Sequence, residues 1–319
     1  MTTVRASNML PKTVRSGVDN EDFAIDELFT IYETNHNFPN EYRPLIWRFL
    51  LKTPENIESF AALMKLGIHQ AFLNLPQKYP LKSRTTSYKM QMICSMLAHC
   101  STTFAEMAYL PQLVYPFILI YKHNDLASFE TVLTILMWWG YSWNLSSSIA
   151  PGSLTSAIND IFEYNDKELF NHFRKYQSSP GDLSWRILST FFTEICSQES
   201  WLQLVDFIFL NFSDPRIMLF IPTAIICYYR NILLSVKGEN CHLPILSCFI
   251  LTEGLLIRST FRFHKFFYEP PDFGYAKNNT IAKDIIVCHS SGSLLSFPKL
   301  LSVISIRSLL KSCLSPTRR

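Results

Sequence analysis

The chain has 319 residues, of which 48% are hydrophobic and 14% aromatic, so it has enough apolar material for a buried core in one large or two small domains. Its 29 basic and 26 acidic residues give a net charge of +3, which is too balanced to imply attraction to nucleic acid or to a membrane surface. Composition therefore excludes a disordered chain and predicts no nucleic-acid partner.

Residues 1–21 contain no apolar stretch of the kind found in secretory signals, so no such signal is predicted. These residues are predicted to be a disordered, basic lead-in or linker. From residue 22 onwards the sequence predicts helices. It has only nine glycines and no clear run of alternating hydrophobicity, which argues against β-strands. Between Tyr88 and Cys100, apolar side chains recur at helical spacing and are predicted to share one buried face, at Tyr88, Met92, Ile93, Met96, Leu97 and Cys100.

Similar patterns predict helices over residues 41–51, 126–139, 154–164, 184–197 and 201–211. Short breaks, in which Pro and Gly end helices for steric reasons, lie at residues 146–153, 178–182 and 213–215. The first break is the predicted boundary between an N-terminal lobe, residues 22–150, and a C-terminal lobe, residues 151–260. No fixed repeat period is present, so the prediction is an irregular all-α domain.

Two very apolar runs, residues 217–229 and 243–257, raise the alternative of a membrane protein. A spanning helix needs about 20 apolar residues. The first run contains Pro222 and is closed by Arg230, and the second is broken by Glu253, so both are predicted to be buried core helices rather than membrane spans. Tryptophans in apolar helical stripes are also predicted to be buried, namely Trp47, Trp138, Trp185 and Trp201.

The character of the sequence changes towards its C-terminal end, and residues 261–319 are predicted to form a divergent, partly disordered tail. Nine serines lie between Ser290 and Ser315, and a basic, apolar stretch covers residues 299–311. This stretch is compatible with a packed helix, with a partner-binding helix, or with a segment that has no role of its own.

No motif for a cofactor, a metal ion or a catalytic nucleophile is present. Phosphate-binding glycine loops, the G-x-S-x-G nucleophile elbow and the H-E-x-x-H zinc motif are all missing. Eight cysteines are scattered without a C-x-x-C pair, so reduced thiols in the cytosol are expected rather than a zinc cluster or a disulfide framework. The eight histidines are isolated along the chain, so no cofactor and no metal site is predicted.

The order of five segments along the chain is more informative. The first, EYRPLIWRFLLKTPEN at residues 41–56, places Arg43 and Trp47 four residues apart on one helical face, where they would otherwise suggest only a stacking pair. It is followed by AFLNLPQKYP, LVYPFILIY, NDKELFNHF and WRILSTFFTEICSQESWLQLVDFIF. In this order the chain resembles the TBC domain of Rab GTPase-activating proteins over about residues 22–235. The resemblance implies a two-lobed helical fold with a structural motif made of Arg43, Trp47, Pro80, Trp201 and Asp206.

The resemblance also locates the catalytic positions of the family. Active TBC domains use an I-x-x-D-x-x-R motif, whose arginine neutralises charge on the γ-phosphate, and a Y-x-Q motif, whose glutamine orients the attacking water. Counted back from Pro80, the first motif places Asn74 at the aspartate and Gln77 at the arginine. Counted back from Pro116, the second motif places Ala108 at the glutamine. Both catalytic side chains are therefore predicted to be missing.

The function implied by the resemblance is binding without catalysis, as an adaptor in cilium assembly. A WD-repeat-containing member of the family is associated with the centrosome and the cilium. The expected partners are accordingly a small Rab-type GTPase and centrosomal or ciliary adaptor proteins. The expected location is the cytoplasm, at the centrosome, the centriolar satellites or the ciliary base.

Two alternatives stay open: an active Rab GTPase activator that uses another group, and a helical scaffold without GTPase contact. Arg84 lies seven residues beyond Gln77, about 10 Å away if the region were helical, and is the candidate for a substituted arginine. The chain has no WD-repeat region and no long heptad run, so we expect a fragment, a short product or a divergent relative.

Overall fold

The computed structural model describes residues 21–140, 150–214 and 217–235, and these residues form α-helices with short 3-10 and π turns. The first helices are α1 (Glu21–Asn35), α2 (Arg43–Leu51), α3 (Ile57–Met64), α4 (Leu75–Lys78), α5 (Arg84–Cys100), α6 (Thr102–Glu106), α7 (Leu110–Tyr121) and α8 (Asp125–Ile135). They are followed by α9 (Gly152–Asn165), α10 (Lys167–Lys175), α11 (Pro180–Ser189), α12 (Gln198–Leu210), α13 (Ile217–Tyr228) and α14 (Arg230–Ser235). No described residue lies in a β-strand, and the predicted all-α class is confirmed.

Polar side chains begin many of these helices. In six of them a side chain accepts a hydrogen bond from a free N–H group of the first turn; the acceptors are Asn56, Ser83, Asn124, Asp166, Ser179 and Ser197. Such a cap stabilises its helix by about 1 kcal/mol. Pro180 follows the capping residue Ser179 and is the first residue of α11. A backbone N–H group at this position has no acceptor within the helix, so its absence in proline costs no hydrogen bond. The break predicted at residues 178–182 is therefore the start of a helix.

Two sets of three helices are mutually in contact. Helices α5, α7 and α8 contact one another, and so do α9, α11 and α13. Helix α12 packs against α1 and α2, so the C-terminal part of the described chain directly contacts its beginning. The predicted division at residue 150 stays a prediction. Residues 1–20 and 236–319, which include most of the predicted lead-in and the whole predicted tail, lie outside the described residues.

Three of the four tryptophans predicted to be buried are in the core. Trp47, Trp185 and Trp201 have 0%, 7% and 4% of their surface exposed. The prediction is wrong for Trp138, which is only partly buried, because its neighbour Trp139 takes the core position with 2% exposed. Adjacent helical residues point about 100° apart, and a pair of identical side chains does not reveal which one faces the core.

The predicted buried face of α5 needs two corrections: Tyr88 is 56% exposed, and Met92 is only partly buried. Met90 and Cys94 are buried in addition to the predicted residues. From Ile93 onwards nearly every residue of α5 is buried, because neighbouring helices surround this part of the helix. Burial there no longer follows a helical period, so periodicity alone assigned Tyr88 to the wrong side.

The helix predicted over residues 184–197 ends early. Helix α11 stops at Ser189, and the backbone of Phe191 and Phe192 is left-handed, with φ angles of 48° and 65°. Both rings are fully buried, and the Trp201 indole N–H donates to the Phe191 carbonyl at 2.8 Å. Tertiary packing therefore interrupts an apolar pattern that would otherwise continue as a helix.

The apolar run at residues 217–229 forms α13, a buried helix with Pro222 in its interior. Its prediction as a core helix is confirmed by the burial of Ile217, Ile221 and Ile225. Among the described residues, no helix combines the length and the apolar character that crossing a membrane requires. The second run, residues 243–257, lies outside them.

Candidate functional site

A buried carboxylate joins the helices that the structural motif was predicted to contain. Asp206 on α12 is fully buried, and its carboxylate accepts hydrogen bonds from four N–H groups. The Arg43 Nε atom lies 2.9 Å from Oδ1, and Arg43 Nη2 lies 3.0 Å from Oδ2. The Trp47 indole N–H donates to Oδ1 at 2.7 Å, and the Phe38 backbone N–H donates to Oδ2 at 2.8 Å. The carboxylate thus connects α2 and the segment before it to α12.

The remaining donors of Arg43 are also used, since Nη2 donates to the Phe38 carbonyl at 2.6 Å and Nη1 donates to the Asn40 side chain. The Trp47 ring packs edge-on against Trp201 and Phe209, with centroids 6.0 and 5.1 Å apart. The prediction that Arg43 and Trp47 share one face of a helix is confirmed. They meet at Asp206 rather than as an isolated stacking pair.

Burial raises the pKa of the Asp206 carboxyl from 3.8 to about 6, although Arg43 and two N–H donors act in the opposite direction. The folded state therefore binds the proton of the Asp206 carboxyl group more tightly than the unfolded chain does. The contribution of Asp206 to stability accordingly falls as the pH rises from about 4 to about 6. Burial, followed by the negative charge of Asp206, also raises the pKa of Tyr32.

Exchanging Trp47 for Phe keeps an aromatic ring and removes one donor to the Asp206 carboxylate. We expect the free energy of unfolding to fall by about 1–3 kcal/mol above about pH 7. The loss should shrink as the pH falls through about 6, because the indole N–H stabilises the charged carboxylate, which becomes neutral there. Urea denaturation at about pH 5 and about pH 7.5 measures both values.

Trp201→Phe is the matched control for this prediction, because the Trp201 indole N–H donates to the Phe191 backbone carbonyl at 2.8 Å, and that carbonyl does not titrate. Its stability loss should be the same at both pH values. An equal loss for Trp47→Phe at both pH values would contradict the assigned role of the indole.

The predicted catalytic positions lie on the surface, and a hydrogen bond links the segments that carry them. Asn74 directly precedes α4, Gln77 lies within α4, and both are exposed. Ala108 is exposed in the connection between α6 and α7. The Tyr79 hydroxyl donates to the Ala108 carbonyl at 3.5 Å, which links the two predicted motifs. Pro80 follows on the surface and ends this short helical segment.

Buried neighbours hold these exposed positions in place. Phe72 and Leu75 have only 5% and 4% of their surface exposed and anchor the two ends of the turn that precedes α4. From α5, the Gln91 side chain donates to the carbonyls of Phe72 and Leu73, at 2.9 and 3.1 Å. Sequence reasoning missed Gln91, although a polar residue in an apolar helix was an available signal.

Two histidine rings in the neighbouring part of the structure contact each other. The rings of His69 and His99 lie 5.0 Å apart, so these histidines are not isolated in space, contrary to the interpretation of the sequence. Partial burial and then the charge of His99 lower the pKa of His69. Within the described part of the chain, no group of three or more His, Cys, Asp or Glu side chains is arranged to hold a metal ion. Arg84 is exposed at the start of α5, and its role as a substituted arginine stays a prediction.

No protein-family model matches the chain, but solved structures share its fold. The Ypt/Rab-GAP domain of Gyp1p superimposes with a TM-score of 0.66 at 13% identity and covers 82% of this chain and 99% of that domain. The Chlamydomonas flagellar RabGAP TBC domain gives 0.63 at 12% identity, over 82% and 92%. The fold and the sequence relatives together place this chain in the TBC family of Rab-GAP-type domains.

Within this family, the chain is similar to TBC1 domain family member 31. It is 38% identical to the Bos taurus and Homo sapiens proteins over 203 residues, or 64% of this chain. The Xenopus tropicalis protein is 32% identical over 242 residues, or 74% of this chain. The matched regions amount to 19% and 22% of the bovine and frog proteins, so the chain spans about a fifth of the length of these relatives.

Proposed function

We propose that this chain is a catalytically silent TBC domain that binds a Rab-type GTPase and acts as an adaptor. The observation that carries the proposal is the presence of neutral side chains, Gln77 and Ala108, at the two predicted catalytic positions. Both positions are exposed and are joined through Tyr79, so the surface that the catalytic groups would occupy is formed without those groups.

Side-chain chemistry explains why such a surface would not accelerate hydrolysis. A glutamine amide lacks the positive charge and the forked donors by which an arginine stabilises the charge that develops on a transferred phosphoryl group. An alanine methyl group has no donor or acceptor with which to orient the attacking water. The domain is therefore expected to dock a GTPase without completing its active site.

Retention of the structural motif supports a binding role. The Asp206 carboxylate still receives donors from Arg43, Trp47 and Phe38, so α2 and α12 keep a fully paired buried connection. A domain that keeps this interior and lacks charged groups at its catalytic positions is suited to holding a partner. It is less suited to turning over a substrate.

We place this function in the cytoplasm, at the centrosome, the centriolar satellites or the ciliary base, with centrosomal or ciliary adaptor proteins as further partners. Similarity to TBC1 domain family member 31 supports this placement, and so does the fold shared with a flagellar RabGAP domain. Localisation of the tagged chain in ciliated cells tests it, and a uniform distribution without enrichment at the ciliary base would contradict it.

The binding proposal is tested with a panel of Rab proteins loaded with GTP or GDP analogues. We expect the 319-residue chain to bind at least one of them and to leave single-turnover GTP hydrolysis near its intrinsic rate. An arginine finger supplied by an activator is worth about 10³–10⁵ in rate, so the two outcomes are easily separated.

Two results would overturn the proposal. Acceleration of any Rab by about a thousandfold, abolished by Gln77→Ala, would make the amide a catalytic group. If the chain bound none of the Rab proteins in either nucleotide state, the alternative of a helical scaffold without GTPase contact would be supported instead.

A further inference from the structure

Lys78 places a positive charge next to one of the predicted catalytic positions, Gln77, in the sequence of α4. The Lys78 side chain is exposed. The Lys78 Nζ atom lies 5.9 Å from the centroid of the Tyr79 ring, within the range of a cation–π contact. The hydroxyl of the same tyrosine donates to the Ala108 carbonyl. One tyrosine side chain therefore separates the Lys78 ammonium group from the Ala108 position.

No acidic side chain of the described residues forms an ion pair with Lys78. Residues 59–105 contain five Lys or Arg residues and no Asp or Glu. Glu106, which ends α6, forms no ion pair with Lys78 in the described part of the chain. In the same part of the chain, Lys89 is different, because it pairs with Asp125 at 2.6 Å. The Lys78 ammonium is thus available to an anion brought to this surface by a partner.

We propose that Lys78 contacts the phosphates of the nucleotide in the docked GTPase and makes binding depend on the γ-phosphate. The inference rests on the proposed function, since the GTPase must dock at the surface formed by Gln77 and Ala108. A lysine binds phosphate as a point charge on a flexible stem, so the contact needs no fixed fork geometry.

This contact is compatible with a silent domain. A mobile ammonium group attracts the bound triphosphate before and during the reaction, so it strengthens the ground state and the transition state alike. Uniform binding of this kind does not raise the rate of the chemical step. Lys78 would therefore make the affinity for the GTPase depend on the bound nucleotide, while hydrolysis stays near its intrinsic rate.

The test measures the affinity of the full chain for a Rab that binds it, loaded in turn with a non-hydrolysable GTP analogue and with GDP. We expect Lys78→Ala to weaken binding of the GTP form by about 10- to 100-fold, the size of a charge-assisted hydrogen bond. The GDP form should change by less than about fivefold, as for an exposed charge. Lys78→Arg should retain the preference for the GTP form.

Lys82→Ala is the matched control, because Lys82 is an exposed cation of the same acid-free segment that lies beyond Pro80. It should weaken both nucleotide forms equally, through long-range attraction alone. An unchanged ratio of the two affinities in Lys78→Ala would overturn the inference and leave the proposed function intact. Acceleration of hydrolysis by the parent chain that disappears in Lys78→Ala would also overturn it, by making Lys78 catalytic. Absence of any Rab binding to the parent chain would overturn both proposals.

Discussion

Replacing Asp206 by Ala is expected to lower the free energy of unfolding by about 3–5 kcal/mol, the cost of leaving a buried charge without its partner. Arg43 is 4% exposed, so its guanidinium would lose the carboxylate without gaining water. The N–H groups of Phe38 and Trp47 would lose their acceptor as well. Urea denaturation followed by tryptophan fluorescence measures the loss.

Two further variants make this result specific. Glu194→Ala breaks an exposed ion pair with Arg186, 2.7 Å long, and should lower stability by less than about 1 kcal/mol. A double variant, Arg43→Met with Asp206→Leu, removes both buried charges and should recover part of the stability lost in Asp206→Ala, since the N–H groups of Phe38 and Trp47 still lack their acceptor. Equal stability of Asp206→Ala and Glu194→Ala would contradict the assigned role of the buried carboxylate.

Helices with one buried face could be predicted from the sequence, because the signal lies within each segment. The apolar stripe that contains Trp47 and the caps at Asn124 and Ser197 are local features of this kind. The early end of α11 could not be predicted, since the left-handed backbone of Phe191 and Phe192 is tied to packing against Trp201. Contacts between distant parts of the chain leave no local pattern.

The same distinction applies to the site. The assignment of Gln77 and Ala108 to the catalytic positions stays a prediction from the sequence, because each position follows only from its distance to a proline in a family motif. The link from Tyr79 to Ala108 spans 29 residues, and the bond from Arg43 to Asp206 spans 163, so neither contact has a sequence signature of its own. The resemblance implies that Asp206 belongs to a structural motif, and the structure shows its hydrogen-bond donors, Phe38, Arg43 and Trp47.

Restoring both catalytic side chains is expected to accelerate GTP hydrolysis by a bound Rab. In the variant Gln77→Arg with Ala108→Gln, we expect part of the factor of about 10³–10⁵ that an activator provides. Gln77 is exposed, so a longer side chain fits at this position without displacing the core. The Ala108 side chain is also exposed, and its contact with Tyr79 uses the backbone carbonyl, which the substitution keeps. Single-turnover hydrolysis with a bound Rab measures the gain.

Asn74 limits this gain, because the active motif has a carboxylate there that would hold the new arginine in place. Adding Asn74→Asp should therefore raise the rate beyond that of the double variant. Lys82→Arg provides the control, since it places a guanidinium on the same exposed segment but away from the predicted catalytic position, and it should leave the rate unchanged. If the double and triple variants bound the Rab as tightly as the parent and gave only the intrinsic rate, Gln77 and Ala108 would not occupy the catalytic positions. Docking would then use a different geometry from that of active members of the family.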